Sequence, residues 1–132
     1  MMKKLSFLLV GFVIVACVTG YNPTYRFNQV QVVNLTGATI EDVSVRVLDT
    51  TKSISCAEVA KNAICNSYFG KSNYPNSGIE LSWTHHDGIH KSESMSPHIP
   101  AYYSVAIPLR IVLEINGDGS VKPFYEQDPI GP

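Results

Sequence analysis

Apolar and polar residues alternate along most of this chain, and the period is two. Val30 and Val32 alternate with Gln29 and Gln31, and Val43, Val45 and Val47 alternate with Ser44 and Arg46. β-Branched residues at that spacing predict half-buried strands. Between the two runs lies Asn34-Leu35-Thr36-Gly37-Ala38, where Gly37 can supply a positive-φ turn residue, so residues 28–48 read as a hairpin. Ile79, Leu81 and Trp83 alternate with Glu80, Ser82 and Thr84, and this run closes on Asp87-Gly88. Asp-Gly between extended runs predicts a two-residue hairpin turn, which would set His85 opposite His90 and Trp83 opposite Ser92. Leu109, Ile111, Leu113 and Ile115 form a last alternating run, and Asn116-Gly117-Asp118-Gly119 turns it into Val121–Tyr125. Hairpin-linked strands at short spacing predict an all-β fold, an antiparallel immunoglobulin-like β-sandwich of about seven strands in preference to a small barrel. Only Cys56–Ile64, with its alanines and its Glu58-to-Lys61 spacing, reads as a turn or two of helix. Trp83 shares a strand face with Ile79 and Leu81 and is expected to anchor the core between the sheets.

A different pattern opens the chain. Met1-Met2-Lys3-Lys4 is followed by an uncharged apolar run from Leu5 to Ala16, the shape of an export signal. As a helix that run would measure roughly 18 Å at about 1.5 Å per residue, well short of the roughly 30 Å hydrocarbon core. It ends in Ile14-Val15-Ala16-Cys17, which resembles the bacterial lipobox. The resemblance implies a diacylglycerol on the Cys17 thiol and cleavage after Ala16, where the lipoprotein signal peptidase needs a small residue. It also implies a stable anchor of two or three acyl chains, since each buried methylene contributes roughly 0.8 kcal/mol and one chain alone holds weakly. Val18 stands where Asp would imply inner-membrane retention, so the resemblance points to the outer membrane, facing the periplasm. The chain then divides into a signal peptide (1–16), a lipidated tether (17–27) containing Asn22-Pro23, and one domain (28–132), a usual single-domain size.

Charge narrows the partners. Ten Lys and Arg against eleven Asp and Glu give a net charge of −1, and the total includes Lys3 and Lys4. No basic run suits nucleic acid or anionic lipid, so membrane contact is expected through the N-terminal lipid alone. With Cys17 committed to lipid, Cys56 and Cys65 remain, and an even pair in an oxidising compartment predicts a disulfide worth roughly 2 to 3 kcal/mol. Their spacing is not the C-x-x-C of a redox-active pair, so the bond is expected to be structural.

Candidate chemistry is sparse. His85 and His90, if paired across the predicted turn, would bring two imidazoles within reach of one zinc or copper ion. A third ligand is missing, because His86 would point to the other face and Asp87 is used in the turn. Asn34-Leu35-Thr36 matches a glycosylation sequon but reads more simply as a turn. No G-x-S-x-G and no glycine-rich loop leading from strand to helix occurs, so no enzyme and no cofactor are expected. Two tyrosine- and proline-rich segments, 68–75 and 97–103, offer aromatic contact area, and Tyr74, Tyr102 and Tyr103 are candidate partner-binding residues. Three readings follow. The leading one is a non-enzymatic envelope lipoprotein with an interaction or structural role, whose partner is another envelope protein. The others are a metal-binding or metal-sensing lipoprotein using His85 and His90, and a lipoprotein inhibitor of a hydrolase.

Overall fold

The computed structural model describes residues 24–127, and the lipobox lies outside them. Eight strands follow in order: β1 (Arg26–Leu35), β2 (Ile40–Val47), β3 (Ser53–Val59), β4 (Ile64–Asn73), β5 (Ile79–Thr84), β6 (His90–Met95), β7 (Leu109–Asn116) and β8 (Val121–Glu126). They form two four-stranded sheets, β4-β1-β7-β8 and β3-β2-β5-β6, packed as a sandwich. No helix occurs among the described residues. Nor does any helix there have the length and apolarity to cross a membrane.

The alternation read from the sequence is what builds the core. Phe27, Val30 and Val32 of β1 and Leu109, Ile111, Leu113 and Ile115 of β7 are buried from one sheet. Ile40, Val43, Val45 and Val47 of β2 and Ile79, Leu81 and Trp83 of β5 are buried from the other. These are the central strands, and Trp83 sits among them as expected of a core anchor.

Several expectations are revised. Residues 28–48 are not a hairpin: β1 and β2 belong to different sheets, and Thr36–Thr39 carries the chain across the sandwich. The immunoglobulin arrangement keeps its first two strands in one sheet, so this strand order is a different one. It also contains a parallel pair, β1 with β7, at the centre of its sheet. Cys56–Ile64 is not helical but runs from the middle of β3, through a turn at Ala60–Ala63, into the start of β4. The domain also begins before residue 28, because Tyr25 and Phe27 are already buried.

The strand ends sort the loops. Loops 36–39, 60–63, 85–89 and 117–120 lie at one end of the sandwich, where β1 finishes. Loops 48–52, 74–78 and 96–108 lie at the other, where β1 starts.

At the end where β1 finishes, Asn34 is fully buried and fully used. Its Nδ2 donates to the carbonyls of Ala38 (2.7 Å), Val59 (3.0 Å) and Ala60 (3.1 Å), while its Oδ1 accepts from the Thr36 amide (3.0 Å) and hydroxyl (2.7 Å). Its backbone amide donates to Ala63 O, and its carbonyl accepts from Asn62 N. One side chain therefore ties the β1–β2 crossing to the β3–β4 turn, which supports the turn reading of Asn34-Leu35-Thr36. The Cys56–Cys65 disulfide holds the same region, joining β3 of one sheet to β4 of the other with the Cα atoms 6.3 Å apart.

Candidate functional site

The two regions singled out for chemistry lie at opposite ends of the sandwich. The histidine segment forms the β5–β6 hairpin tip. There Gly88 N donates to His85 O and His85 N donates to Ile89 O, both at 2.9 Å, and Gly88 has φ 84°. That is a three-residue loop, a type I turn followed by a left-handed glycine, and not the two-residue turn expected. The register moves by one residue: His90 stands opposite Thr84, Trp83 opposite Lys91, and His85 opposite Ile89. A one-residue slip exchanges the faces of a strand. His85 stays on the inward side with Trp83, half-buried with its Nδ1 enclosed and without a partner, while the slip sets His90 exposed beside the outward Thr84. The cross-strand His85–His90 pair on which a metal reading rested is not formed. His85 packs instead against its neighbour His86, with ring centroids 4.3 Å apart. No group of three or more His, Cys, Asp or Glu suited to a metal ion occurs among the described residues.

The aromatic segments converge at the other end. Tyr74, expected as a partner-binding residue, is 4% exposed and belongs to the core. Its hydroxyl meets the Tyr125 hydroxyl at 2.8 Å, and its ring stands edge-on to those of Phe27 (5.6 Å) and Tyr125 (5.7 Å). Tyr125 Oη donates to Pro97 O at 3.1 Å. Since that hydrogen is used, the Tyr74 hydroxyl is the donor of the shared bond. Burial raises the pKa of both Tyr74 and Tyr125. Tyr103 is half-buried and donates to Tyr125 O at 2.7 Å, and Tyr25 Oη donates to Tyr103 O at 3.4 Å. Tyr125 and Tyr25 escaped the sequence reading. Tyr125 stands in β8, where alternation alone places it facing inward.

These hydroxyls hold the loop 96–108 against the sheet. Gln127 completes the latch: its Nε2 donates to Ser104 O (2.6 Å) and Ile107 O (2.8 Å), and its Oε1 accepts from Ser104 N (3.0 Å). A loop longer than roughly 12 residues without its own regular structure usually carries function or remains unordered, and this one is pinned.

Between the pinned loop, the β4–β5 loop and the start of β1 lies a crevice of about 630 Å³. Thr24, Tyr25, Asn73, Tyr74, Pro75, Asn76, His98, Ile99 and Ala101 line it. Its volume falls in the range of small-ligand sites, roughly 300–1,000 Å³. None of these lining residues is Asp, Glu, Lys or Arg, so the crevice offers amides, hydroxyls, an imidazole and apolar surface without a fixed charge. Tyr102 follows the lining residue Ala101, is 83% exposed and stands edge-on to Tyr103 at 5.0 Å. Of the three candidate tyrosines, then, Tyr102 is free, Tyr103 half-buried and bonded, and Tyr74 internal.

Chemically this is a β-sandwich with a crevice free of Asp, Glu, Lys and Arg at one end. No family model matches the chain, and no curated protein matches it. Among solved structures it is similar to an NMR structure of a protein from Eubacterium rectale, at 14% identity and a TM-score of 0.49, covering 83% of this chain and 95% of that one.

Proposed function

We propose that this chain is the precursor of a bacterial envelope lipoprotein whose domain binds a partner and catalyses no reaction. The charge-free crevice beside the exposed Tyr102 carries the binding half of this reading. It suits a neutral surface, such as an uncharged loop of another envelope protein, because a charged group placed there would lose water without gaining an ion pair. An exposed tyrosine beside such a crevice supplies rigid contact area at low entropic cost.

The anchoring half rests on Ile14-Val15-Ala16-Cys17. With lipid on Cys17, residues 18–23 reach at most roughly 20 Å when extended, at about 3.3 to 3.6 Å per residue. The crevice begins at Thr24, so it would lie within that distance of the membrane surface, and the His85–Ile89 tip would point away. The partner is then one that approaches the membrane, on the periplasmic side of the outer membrane. The Cys56–Cys65 disulfide agrees with an exported domain.

Two measurements test the reading. The full-length protein carrying Cys17→Ser should take up no labelled fatty acid and retain its uncleaved mass; labelling and cleavage unchanged by that substitution would remove the lipid anchor. A photo-crosslinking amino acid at position 102 should join the protein to one defined envelope partner, while the same group at His90 should not. Equal adducts from both positions would remove the crevice as the binding surface.

A further inference from the structure

We infer that the turn Ser104–Ile107 is a second membrane contact: Val105 and Ala106 at its tip dip into the interface of the bilayer that holds the Cys17 lipid, and so set the orientation of the domain. This rests on the lipid anchor proposed above and is independent of what the crevice binds.

The loop 96–108 that contains this turn has no Asp, Glu, Lys or Arg. At the other end of the sandwich, loops 60–63, 85–89 and 117–120 carry Lys61, Asp87 and Asp118. Val105 is 37% exposed, and Ala106 beside it is exposed as well. What suits the turn to a bilayer is that its backbone is already bonded. The Gln127 amide accepts from Ser104 N (3.0 Å) and donates to Ser104 O (2.6 Å) and Ile107 O (2.8 Å). Ala106 N donates to Ser104 Oγ at 3.2 Å, and Ile107 N donates to Ser104 O at 3.4 Å. Unpaired backbone groups are excluded from hydrocarbon. An ordinary exposed loop takes these bonds from water and would lose them on insertion, whereas this one keeps them.

The fold also puts the turn where the tether arrives. The parallel pairing of β1 with β7 sets Phe27 beside Leu109. The chain entering β1 from the tether and the chain entering β7 from the turn therefore run side by side, joined where Tyr25 Oη donates to Tyr103 O at 3.4 Å. Residues 18–23, at most roughly 20 Å when extended, keep this end close to the lipid on Cys17. Loop 48–52, with Asp49 and Lys52, joins two strands of the opposite sheet. Tilting the β1–β7 side toward the bilayer thus leaves those charges in water. One Val and one Ala would hold nothing by themselves, but so short a tether makes their contact intramolecular. Its effect is to fix orientation, with the His85–Ile89 tip turned away from the membrane.

The test uses the full-length lipidated protein in phosphatidylcholine vesicles, with and without bromine on the acyl chains to quench tryptophan emission. Trp83, the single native tryptophan, is buried in the core and supplies the background. Val105→Trp should lose several-fold more emission to the brominated lipid than Ile89→Trp, which puts the probe on the opposite tip. In Ala106→Trp the native Val105 stays in place, and adding Val105→Asp should cut the quenching several-fold, because a carboxylate resists leaving water. Val105 is exposed, so Val105→Asp should leave the melting temperature near that of the parent, which separates lost insertion from lost folding. Equal quenching at positions 105 and 89, in protein that floats with the vesicles, would overturn the inference and leave the lipid anchor standing. Protein that neither carries lipid nor floats would overturn both. A photo-crosslinking group at position 105 that joins a protein in place of lipid would assign the turn to a partner and overturn the membrane contact alone.

Discussion

The two ends of this sandwich bury polar groups by opposite means. At the end where β1 finishes, one amide, Asn34, satisfies backbone groups from the β1–β2 crossing and the β3–β4 turn, and a disulfide lies alongside. At the end where β1 starts, phenolic hydroxyls of Tyr74, Tyr103 and Tyr125 fasten a long loop and leave a crevice beside it. The first end has concentrated its polar chemistry in a single fully enclosed residue, whereas the second spreads it over large rings that also form the wall of a cavity. Only the second arrangement can accommodate a ligand without dismantling its own bonds. The first is a clasp.

The clasp predicts the largest effects. Asn34→Ala leaves the Val59 carbonyl buried without a donor, at about 1–3 kcal/mol, and also removes the part-buried bonds to Ala38 O and Ala60 O. The expected loss is about 3 kcal/mol, or a fall of roughly 12 to 20 °C in melting temperature for a domain of this size. Thermal unfolding followed by circular dichroism measures it, and a fall of only a few degrees would mean that Asn34 is not the tie between the crossing and the turn. Removing the disulfide as the Cys56→Ala/Cys65→Ala pair should cost about 2 to 3 kcal/mol. Both features hold the β3–β4 turn, so the triple variant should lose about 1 kcal/mol less than the two losses added together, because residues sharing partners are not additive. Strict additivity would separate the two devices.

How much of this contrast was legible in the sequence differs between the ends, and the reason is physical. Period-two alternation carried β1, β2, β5, β7 and β8, and the even cysteine count carried the disulfide. Alternation states which face of a strand is buried but not which sheet the strand joins, so Asn34–Ala38 reads as a hairpin turn although β1 and β2 lie in separate sheets. The buried Asn34 that makes the crossing work looks, as a letter, like any turn asparagine. Ala57, Glu58 and Lys61 favour helix by local propensity, but β3 is an edge strand whose outward positions tolerate any polar residue, and pairing with β2 overrides the preference. The His85–Gly88 loop shows how little separates a right register from a wrong one. With the left-handed glycine as the third loop residue, every predicted cross-strand neighbour changes face, and the candidate metal pair disappears with it. Tyr74 and Tyr102 belong to equally aromatic, proline-containing segments, yet one is core and the other is solvent-exposed. Composition does not distinguish them, because that depends on which loop the sheet ends cover.

The tyrosine end predicts a smaller effect with a characteristic pH dependence. Tyr74, Tyr103 and Tyr125 are all held neutral, with burial as the leading cause. Their raised pKa values mean that the unfolded chain releases these protons first, near the ordinary tyrosine value of about 10. Stability from this source is therefore fully present below about pH 10 and is lost as pH rises above it. Tyr125→Phe removes the bridge between Tyr74 and Pro97 at a cost of about 1 to 2 kcal/mol and should make the alkaline decline shallower. Denaturant midpoints at pH 8 and pH 11 measure both, and an unchanged alkaline slope in the variant would show that Tyr125 does not contribute to it.

The smallest effect lies back at the clasp end, where the sensitivity is to acid. Asp87 accepts from Ile89 N and Asp118 from Ser120 N, each at 2.9 Å, in two hairpin loops that share the same Asp-Gly ending. The bond from the Ile89 amide is the main reason the Asp87 carboxyl titrates below its usual range, and for Asp118 the leading cause is the Ser120 hydroxyl. A lowered carboxylate pKa stabilises the fold above the ordinary value of about 3.9 and is lost as pH falls through the folded value. Both carboxylates are exposed, so the loss should register locally: the amide proton resonances of Ile89 and Ser120 should shift together on acidification, with a midpoint below that of an unperturbed aspartate. Asp87→Asn should abolish the shift at Ile89 and leave the one at Ser120 intact. If Ser120 also stopped responding, the two loops would be coupled through the end of the sandwich, and the acid response would belong to the whole clasp instead of to each turn.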